Sequence, residues 1–216
     1  MKKFYCLHGL PRAGNTLLGS IINQNPKIAL TANSTIANML GELYMLKHTD
    51  IFKNFPDHKS FDNVTKSLIQ TYYKDWPQEY IIDRAPWGMP INLKFLKEVQ
   101  EDIKIIVLVR DVHEILASFI KHSQKESTSF VNGYGNITIE QKCDMLMNTG
   151  GQIIKELAGI KHLRDYHPKE MYHIVEYDDL CDNPEQTIKY IYKFLNIPLW
   201  GHRFVNLDQF EVNGMK

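Results

Sequence analysis

The sequence lacks the long apolar runs, the charge excess and the cysteine pairs that mark several protein classes. No uninterrupted apolar stretch reaches the roughly 18 residues of a membrane-spanning helix, so no span is expected. The 25 Lys and Arg residues balance the 25 Asp and Glu residues, so nucleic acid is not indicated as a partner, and any anion site must be a local cluster. Cys6, Cys143 and Cys181 lie far apart without metal spacing, which predicts reduced thiols and a cytoplasmic protein.

The composition is that of one globular domain. The chain has 216 residues, of which 44% are hydrophobic, enough for a sizeable core, and no linker or repeat divides it. Short apolar runs alternate with helical patterns, which predicts an α/β three-layer sandwich around a central, mainly parallel sheet. The predicted strands are 3–9, 28–30, 79–86, 104–111 and 171–180; the predicted helices are 16–25, 61–74, 90–101, 139–164 and 182–198, with two more capped by Ser34 and Asp111.

The segments that follow the strands are the expected ligand-binding segments, because ligands of such sheets bind beyond the carboxyl ends of the strands. These segments are 10–16, 83–87, 110–111 and 176–180. The stretch 125–138 is rich in Ser, Thr, Gly and Asn, which predicts a mobile loop. Such a loop would close over the site as a lid, or it is a disordered excursion on the surface.

The first of these segments nearly matches a phosphate-binding loop. A strand ends at Gly9, and "GLPRAGNT" then leads into a helix, so backbone N–H groups and the helix dipole would cradle an anion. Gly14 permits close approach of the backbone, and Thr16 and Arg12 offer side-chain donors. However, Asn15 stands where triphosphate-binding loops carry a Lys. Either the loop does not serve triphosphates, or Arg12 supplies the charge for a different ligand.

A second anion site is indicated where the strand "IIVLVR" ends in Arg110, with Ser118 eight residues later. With this pair, the sequence resembles the sulfotransferases that use 3′-phosphoadenosine 5′-phosphosulfate (PAPS). The family loop P-[KR]-x-G-[TN]-[ST]-[LW] is matched by "PRAGNTL" at 11–17, and its strand–Arg–Ser motif by "IIVLVRDVHEILAS" at 105–118. Its late motif, Tyr-[ED]-Asp-Leu followed by a helix and Pro, is matched by "VEYDDLCDNPEQTIKYIYKFLNIP" at 175–198.

The resemblance implies a P-loop-like α/β fold, PAPS as sulfuryl donor, adenosine 3′,5′-bisphosphate as product, and no metal. It implies that the loop binds the 5′-phosphosulfate and that Arg110 and Ser118 bind the 3′-phosphate. Tyr177 would pack near the adenine, Arg12 would act at the bridging oxygen, and Arg203 would add a late basic contact. The implied loop residues are Pro11, Arg12, Ala13, Gly14, Asn15, Thr16 and Leu17.

The acceptor side is less defined, because the family's Lys-x-His-x-Pro pattern is replaced by "IIDRAPWGMP" without a His. Arg84 is a candidate second cation on the sulfuryl group. Asp83 is a candidate base, and its alternative role is a structural carboxylate at the strand end. Glu42 is a second candidate base, or a solvated helix residue. His8 is interpreted as a core histidine. The acceptor is a small molecule, a carbohydrate or a peptide.

Two other functions remain open from the sequence. One is a small-molecule kinase or nucleotide hydrolase with a degenerate loop, in which "HIVEYDD" at 173–179 would be an acidic strand end. The other is a non-catalytic relative that binds the nucleotide, which the missing His leaves possible. Dependence on Mg²⁺ would separate the first from a sulfotransferase.

Overall fold

The computed structural model describes residues 2–125 and 137–209. Its centre is a five-stranded sheet in which every neighbouring pair is parallel and the strand order is β2-β3-β1-β4-β5. The strands are β1 Lys3–Gly9, β2 Ile28–Leu30, β3 Tyr80–Arg84, β4 Ile105–Val109 and β5 Tyr172–Glu176. Each lies within a predicted strand, because each is a short apolar run bounded by polar residues or turn formers. The prediction of 171–180 as one strand is wrong at its end, since residues 177–180 are helical.

Helices connect the strands and cover both faces of the sheet. They are α1 Asn15–Ile22, α2 Ile36–Leu46, α3 Asp50–Asn54, α4 His58–Tyr72, α5 Pro90–Val99, α6 Val112–Lys125, α7 Ile139–Met147, α8 Gln152–Tyr166, α9 Tyr177–Asp182 and α10 Pro184–Leu195. Several begin as the sequence predicts: the Asp111 carboxylate accepts hydrogen bonds from the N–H groups of His113 and Glu114, and Pro184 occupies the first turn of α10. Within the described ranges, no helix has the length and apolar character needed to cross a bilayer.

Two hydrophobic cores enclose the sheet, which confirms the predicted three-layer sandwich. On one face, Leu7 and Leu108 pack with apolar residues of α1, α6 and α10. On the other, Cys6 and Val107 pack with apolar residues of α2, α4 and α5. Since both faces of the central strands are buried, their sequences read as continuous apolar runs without alternation.

The strand register aligns the segments from which a site can be built. Leu7 of β1 pairs with Arg84 of β3, and Gly9 of β1 pairs with Leu108 of β4. The carboxyl ends of β1, β3 and β4 therefore meet at one edge of the sheet, as the sequence predicts for this topology.

The predicted helix 139–164 is wrong, because two helices replace it. Helix α7 ends at Met147 and α8 starts at Gln152; the turn between them is closed by a hydrogen bond from Gly151 N–H to the carbonyl of Asn148 (2.8 Å). Gly151 allows this turn, because a Cβ there would lie 2.2 Å from the carbonyl oxygen of Leu146. The break sets the direction of α8 independently of α7. Of the predicted loop 125–138, residues 126–136 lie outside the described part, and its role as a lid stays a prediction.

Replacing Gly151 tests whether this turn is sterically fixed. We expect Gly151→Ala to lower the free energy of unfolding by about 2–3 kcal/mol, because backbone atoms must move to admit the methyl group. Gly150→Ala is the matched control: its Cβ would meet only the Asn148 side chain, at an ordinary 3.5 Å, so a change of at most about 1 kcal/mol is expected. Urea unfolding of both variants measures the difference, and equal stability would contradict the steric explanation.

Candidate active site

A cleft of about 560 Å³ lies at the carboxyl edge of the sheet, a size suited to a nucleotide. Of the described residues that line it, three are arginines and none is a carboxylate. The lining residues are Pro11, Arg12, Gly14, Asn15, Thr16, Leu17, Arg84, Arg110, Ser118, Phe119, His122, Gln152 and Tyr177. The cleft therefore joins all the predicted anion-binding side chains except Arg203, and its charge favours an anion.

The loop between β1 and α1 brings backbone donors to the cleft. Gly14 adopts a left-handed conformation with φ 92° directly before α1, which a side chain would disfavour. A Cβ at this position would also lie 2.6 Å from Cδ2 of Tyr177, so the aromatic ring rests directly on the loop. The first N–H groups of α1 have no partner within the helix and, with the helix dipole, form an anion site.

Arg12 connects the two predicted phosphate sites. Its Nε donates a hydrogen bond to Ser118 Oγ (3.1 Å), and its carbonyl oxygen accepts one from Arg110 Nη1 (3.2 Å). Arg12 also has φ 61°, a costly conformation for a residue with a side chain, of a kind that clusters at functional sites. Residues about a hundred positions apart in sequence thus form one continuous cationic surface.

Asn15, at the inner lining of the cleft, and Ala13 direct their side chains into the loop and stabilise it. The Asn15 side chain is 5% exposed, and its Nδ2 donates to the carbonyl of Leu10 (2.8 Å). A Cβ at Gly9 would lie 1.9 Å from Asn15 Oδ1, so the Asn side chain fills the space that this glycine leaves. Ala13 is fully buried, and its N–H is bonded to the carbonyl of Leu10. The predicted contact of Ala13 with a ligand is therefore not supported by its position, because its donor is already used.

Arg110 and Tyr177 form a stacked pair at the other wall of the cleft. The guanidinium carbon of Arg110 lies 4.0 Å from the centre of the Tyr177 ring, a cation–π geometry. Arg110 Nε also donates to the Glu114 carboxylate at 2.7 Å. Because the Glu114 side chain is half exposed, this ion pair contributes little to stability, and its main effect is to orient the guanidinium.

Arg84 reaches the cleft from the end of β3. Its backbone N–H donates to Thr31 Oγ1 (2.8 Å), and its Nη1 donates to the carbonyl of Ala32 (3.0 Å). Burial lowers the pKa of the Arg84 guanidinium, and the nearby Glu156 carboxyl counteracts that effect. Since the guanidinium stays charged at any ordinary pH, Arg84 is a fixed cation in this part of the cleft.

Beside Arg84 lies a buried pair that the sequence motifs did not indicate. His8 is completely buried, as predicted for a core histidine, and its Nδ1 lies 3.3 Å from Oε2 of Glu156. Burial lowers the pKa of His8 to about 4 and raises the pKa of Glu156 to about 7, although the charge of Arg84 opposes the rise at Glu156. Glu156 belongs to no sequence motif. The one feature of the sequence that could have pointed to it is its position one turn after Gln152, in a helix that starts at a Gly-Gly pair.

Asp83 does not face the cleft, so its predicted role as base is not supported by its position. It is the register partner of Cys6 and is fully buried on the opposite face of β3 from Arg84. Its carboxylate accepts hydrogen bonds from the Tyr73 hydroxyl and from Trp87 Nε1. Burial raises the pKa of Asp83, which these hydrogen bonds partly offset. The structural role that the sequence also allowed fits these contacts.

Glu42 and Arg203 likewise lie away from the cleft lining. Glu42 is exposed on α2, which fits a solvated helix face. Arg203 is attached through its backbone to the side chain of Gln24, beyond the C-terminal end of α1. The anion loop lies at the opposite end of that helix, so the predicted contact of Arg203 with a phosphate is not supported.

Comparisons with known proteins identify the family from the sequence and the fold from the structure. A family profile described as "Sulfotransferase family" matches residues 6–201, which is most of the chain. A search of curated proteins returned no significant match.

Solved structures share the fold at low sequence identity. The sulfotransferase domain from the curacin biosynthetic pathway is 19% identical with a TM-score of 0.61, and the match covers 92% of this chain and 75% of that one. A sulfotransferase from Alicyclobacillus acidocaldarius is 11% identical with a TM-score of 0.64, covering 95% and 85%. The mouse sulfotransferase SULT7A1 complexed with PAP is 15% identical with a TM-score of 0.56, covering 93% and 60%. These likenesses confirm the predicted α/β fold.

A substitution at Asp83 separates a structural role from a role in the cleft. We expect Asp83→Ala to lower the free energy of unfolding by roughly 2–4 kcal/mol, because it removes the carboxylate acceptor of the buried Tyr73 hydroxyl and one of the two acceptors of Trp87 Nε1. Asp62→Ala, at a half-exposed carboxylate of α4, is the control and should change stability by less than about 0.5 kcal/mol. Calorimetry with adenosine 3′,5′-bisphosphate should give the same dissociation constant for folded Asp83→Ala and wild type. A tenfold weaker affinity would contradict the structural assignment.

Proposed function

Because the chain belongs to the sulfotransferase family, we propose that it transfers a sulfuryl group from PAPS to a hydroxyl or amine of an acceptor. The observation that carries this proposal is the joined anion site: one cleft holds the loop of α1, Arg12, Arg110 and Ser118, linked by direct hydrogen bonds. A nucleotide with phosphate groups on both its 3′ and 5′ positions would use both halves of this site.

The residues present fit such a donor. The N–H groups at the start of α1, with Arg12 and Thr16, would hold the 5′-phosphosulfate. Arg110 and Ser118 would hold the 3′-phosphate, and the Tyr177 ring offers a flat surface for the adenine. When bound, PAPS supplies an activated sulfuryl group. The mouse relative solved with PAP supports the same nucleotide for this chain, as does the family resemblance.

The cations of the cleft would act on the charge that develops during transfer. As the sulfuryl group leaves, negative charge appears on the bridging oxygen, and fixed donors around that position stabilise it. Arg12 is the loop residue assigned to this oxygen, and Arg84 is a second cation for the sulfuryl oxygens. A sulfuryl group carries less negative charge than a phosphoryl group, so the proposal uses these fixed cations and no metal.

The kinase alternative is less well supported by the positions of the acidic residues. Glu176, Asp178 and Asp179 are exposed around the start of α9 and are not among the described residues that line the cleft. In P-loop enzymes Mg²⁺ is held by the loop Ser or Thr together with a carboxylate. Thr16 supplies the hydroxyl here, but no carboxylate is among the described residues that line the cleft.

We also propose a cytoplasmic location, for which the unpaired cysteines are the support. The acceptor that we propose is a small molecule, a carbohydrate or a peptide.

Nucleotide selectivity tests the proposed donor directly. We expect adenosine 3′,5′-bisphosphate to bind at least about tenfold more tightly than ADP, because only the bisphosphate offers a 3′-phosphate to Arg110 and Ser118. Isothermal titration calorimetry without added metal measures both dissociation constants. Equal or weaker binding of the bisphosphate would contradict the PAPS proposal and favour a nucleotide kinase or hydrolase.

The role of Arg110 is tested by a ligand that lacks the 3′-phosphate. Arg110→Ala should weaken the bisphosphate by about 10- to 100-fold, because a charge-assisted hydrogen bond is lost. The same variant should weaken adenosine 5′-phosphosulfate much less. Arg164→Ala, at an exposed arginine near the end of α8, is the control and should leave both affinities unchanged. Equal losses for the two ligands would remove Arg110 from its assigned role.

A further inference from the structure

The hydrogen-bond directions around His8 determine which of its ring nitrogens carries the proton. Nε2 lies 3.0 Å from the carbonyl oxygen of Glu156, and a carbonyl only accepts, so Nε2 carries the hydrogen. Nδ1 accepts a hydrogen bond from the N–H of Gly88 at 3.2 Å, so it presents a lone pair. His8 is therefore the neutral Nε2–H tautomer, held by two backbone groups and by its burial.

The same geometry has a consequence for Glu156. Its Oε2 is buried, lies 3.3 Å from the His8 Nδ1 atom, and has no hydrogen-bond partner. The single lone pair of Nδ1 is already used by the Gly88 N–H, so His8 offers this oxygen no donor, and an ionised oxygen would be buried without a hydrogen bond. The surroundings therefore favour a carboxyl group that holds a proton and can release it.

The Glu156 carboxyl group lies close to residues that line the cleft. Gln152, one turn earlier on α8, lines the cleft, as does Arg84, which is close enough for its charge to act on the Glu156 carboxyl. The groups that face this carboxyl are His8 from β1 and Arg84 from β3. Glu156 is not itself among the described residues that line the cleft; it lies beside Arg84 and, four residues after Gln152, on the same face of α8, with its side chain 17% exposed. Asp83 lies in the opposite core and Glu42 is an exposed residue of α2, so Glu156 is the carboxyl group that adjoins the Arg84 end of the cleft.

We propose that Glu156 is the base that takes the proton of the acceptor, and that His8 is its positioning residue. The proposal rests on the proposed sulfotransfer. In the step, an oxygen or nitrogen lone pair of the acceptor forms the bond to sulfur while the bond between sulfur and the bridging oxygen breaks, its electron pair leaving with the nucleotide phosphate. The acceptor proton passes to the Glu156 carboxylate, so that charge and atoms balance.

The arrangement also gives the reaction a defined pH dependence. Burial raises the pKa of Glu156 to about 7, and that of His8 is lowered to about 4. Below neutral pH the carboxyl is in its acid form and cannot accept a proton, so transfer should rise as the pH increases through about 7. A base whose pKa lies near the working pH is the effective case for general base catalysis.

The carboxyl itself is tested by NMR, without any turnover. Protein labelled with ¹³C at the glutamate carboxyl carbon should show a resonance that titrates near pH 7 and is absent from Glu156→Gln. Asp165→Asn, at a partly exposed carboxylate of the same helix, should retain it. His8→Asn, which replaces the lone pair by an amide donor, should shift the midpoint to lower pH. If the Glu156 resonance titrates near its ordinary value of about 4, the proposal is overturned.

The base role is tested with water as the acceptor, since the natural acceptor is unidentified. We expect Glu156→Gln to slow release of adenosine 3′,5′-bisphosphate from PAPS by about 100-fold and to remove the rise near pH 7, while Asp165→Asn behaves as wild type. Calorimetry should show the bisphosphate dissociation constant of Glu156→Gln within twofold of wild type. Unchanged hydrolysis in Glu156→Gln overturns the base and leaves the proposed function standing. Failure of wild type to prefer the bisphosphate over ADP overturns the function, and the base role with it.

Discussion

The hydrogen bond from Arg110 to the carbonyl oxygen of Arg12 connects the segments that follow β1 and β4. These strands are neighbours in the sheet, and because they are parallel their ends reach the same level. Arg12, in its left-handed backbone conformation, offers its carbonyl to Arg110 and its guanidinium to Ser118. The anion loop, the strand-end arginine and the following helix are thereby held as one unit, and the rest of the cleft is arranged around it.

Two arginines of the cleft each have a carboxyl group beside them, and the two carboxyl groups differ in how strongly water screens their charge. Glu114 is half exposed beside Arg110, so water and salt screen its charge and leave the guanidinium available to a phosphate. The side chain of Glu156 is 17% exposed, so the field between it and Arg84 is screened much less. A pair of an arginine and a glutamate therefore has different effects at the two ends of the cleft. Glu114 orients the Arg110 guanidinium for binding, whereas the charge of Arg84 influences whether Glu156 holds a proton.

The local parts of the fold and site could be predicted because their signals are contiguous in sequence. The five strands are uninterrupted apolar runs, and the loop of Arg12 and the strand end at Arg110 are motifs of a few residues. Asp83 could not be assigned, because both faces of β3 are buried and its sequence does not reveal which residues face the cleft. The two adjacent residues point to opposite sides of the sheet: Arg84 faces the cleft, whereas Asp83 faces the opposite core.

Glu156 could not be predicted because its place depends on tertiary structure. The turn at Gly151 redirects the chain, and α8 then packs against His8 and Gly88 through Gly159. Glu156 and Gly159 are far in sequence from His8, Arg84 and Gly88, so no local pattern links the carboxyl group to Arg84. The error at 139–164 has the same origin, since helical periodicity continues across a break that only the backbone geometry of the turn shows.

The position of Asn15 shows why the lysine of triphosphate-binding loops would not fit into this loop. The side chain at position 15 points into the floor of the loop, against Gly9 and the carbonyl of Leu10. A lysine introduced there would have to bury an ammonium group or push the loop open, since the space is already filled. Building a lysine-containing triphosphate loop here would thus require rebuilding the turn from Gly9 onward, so exchanging position 15 alone would not give this cleft a triphosphate site.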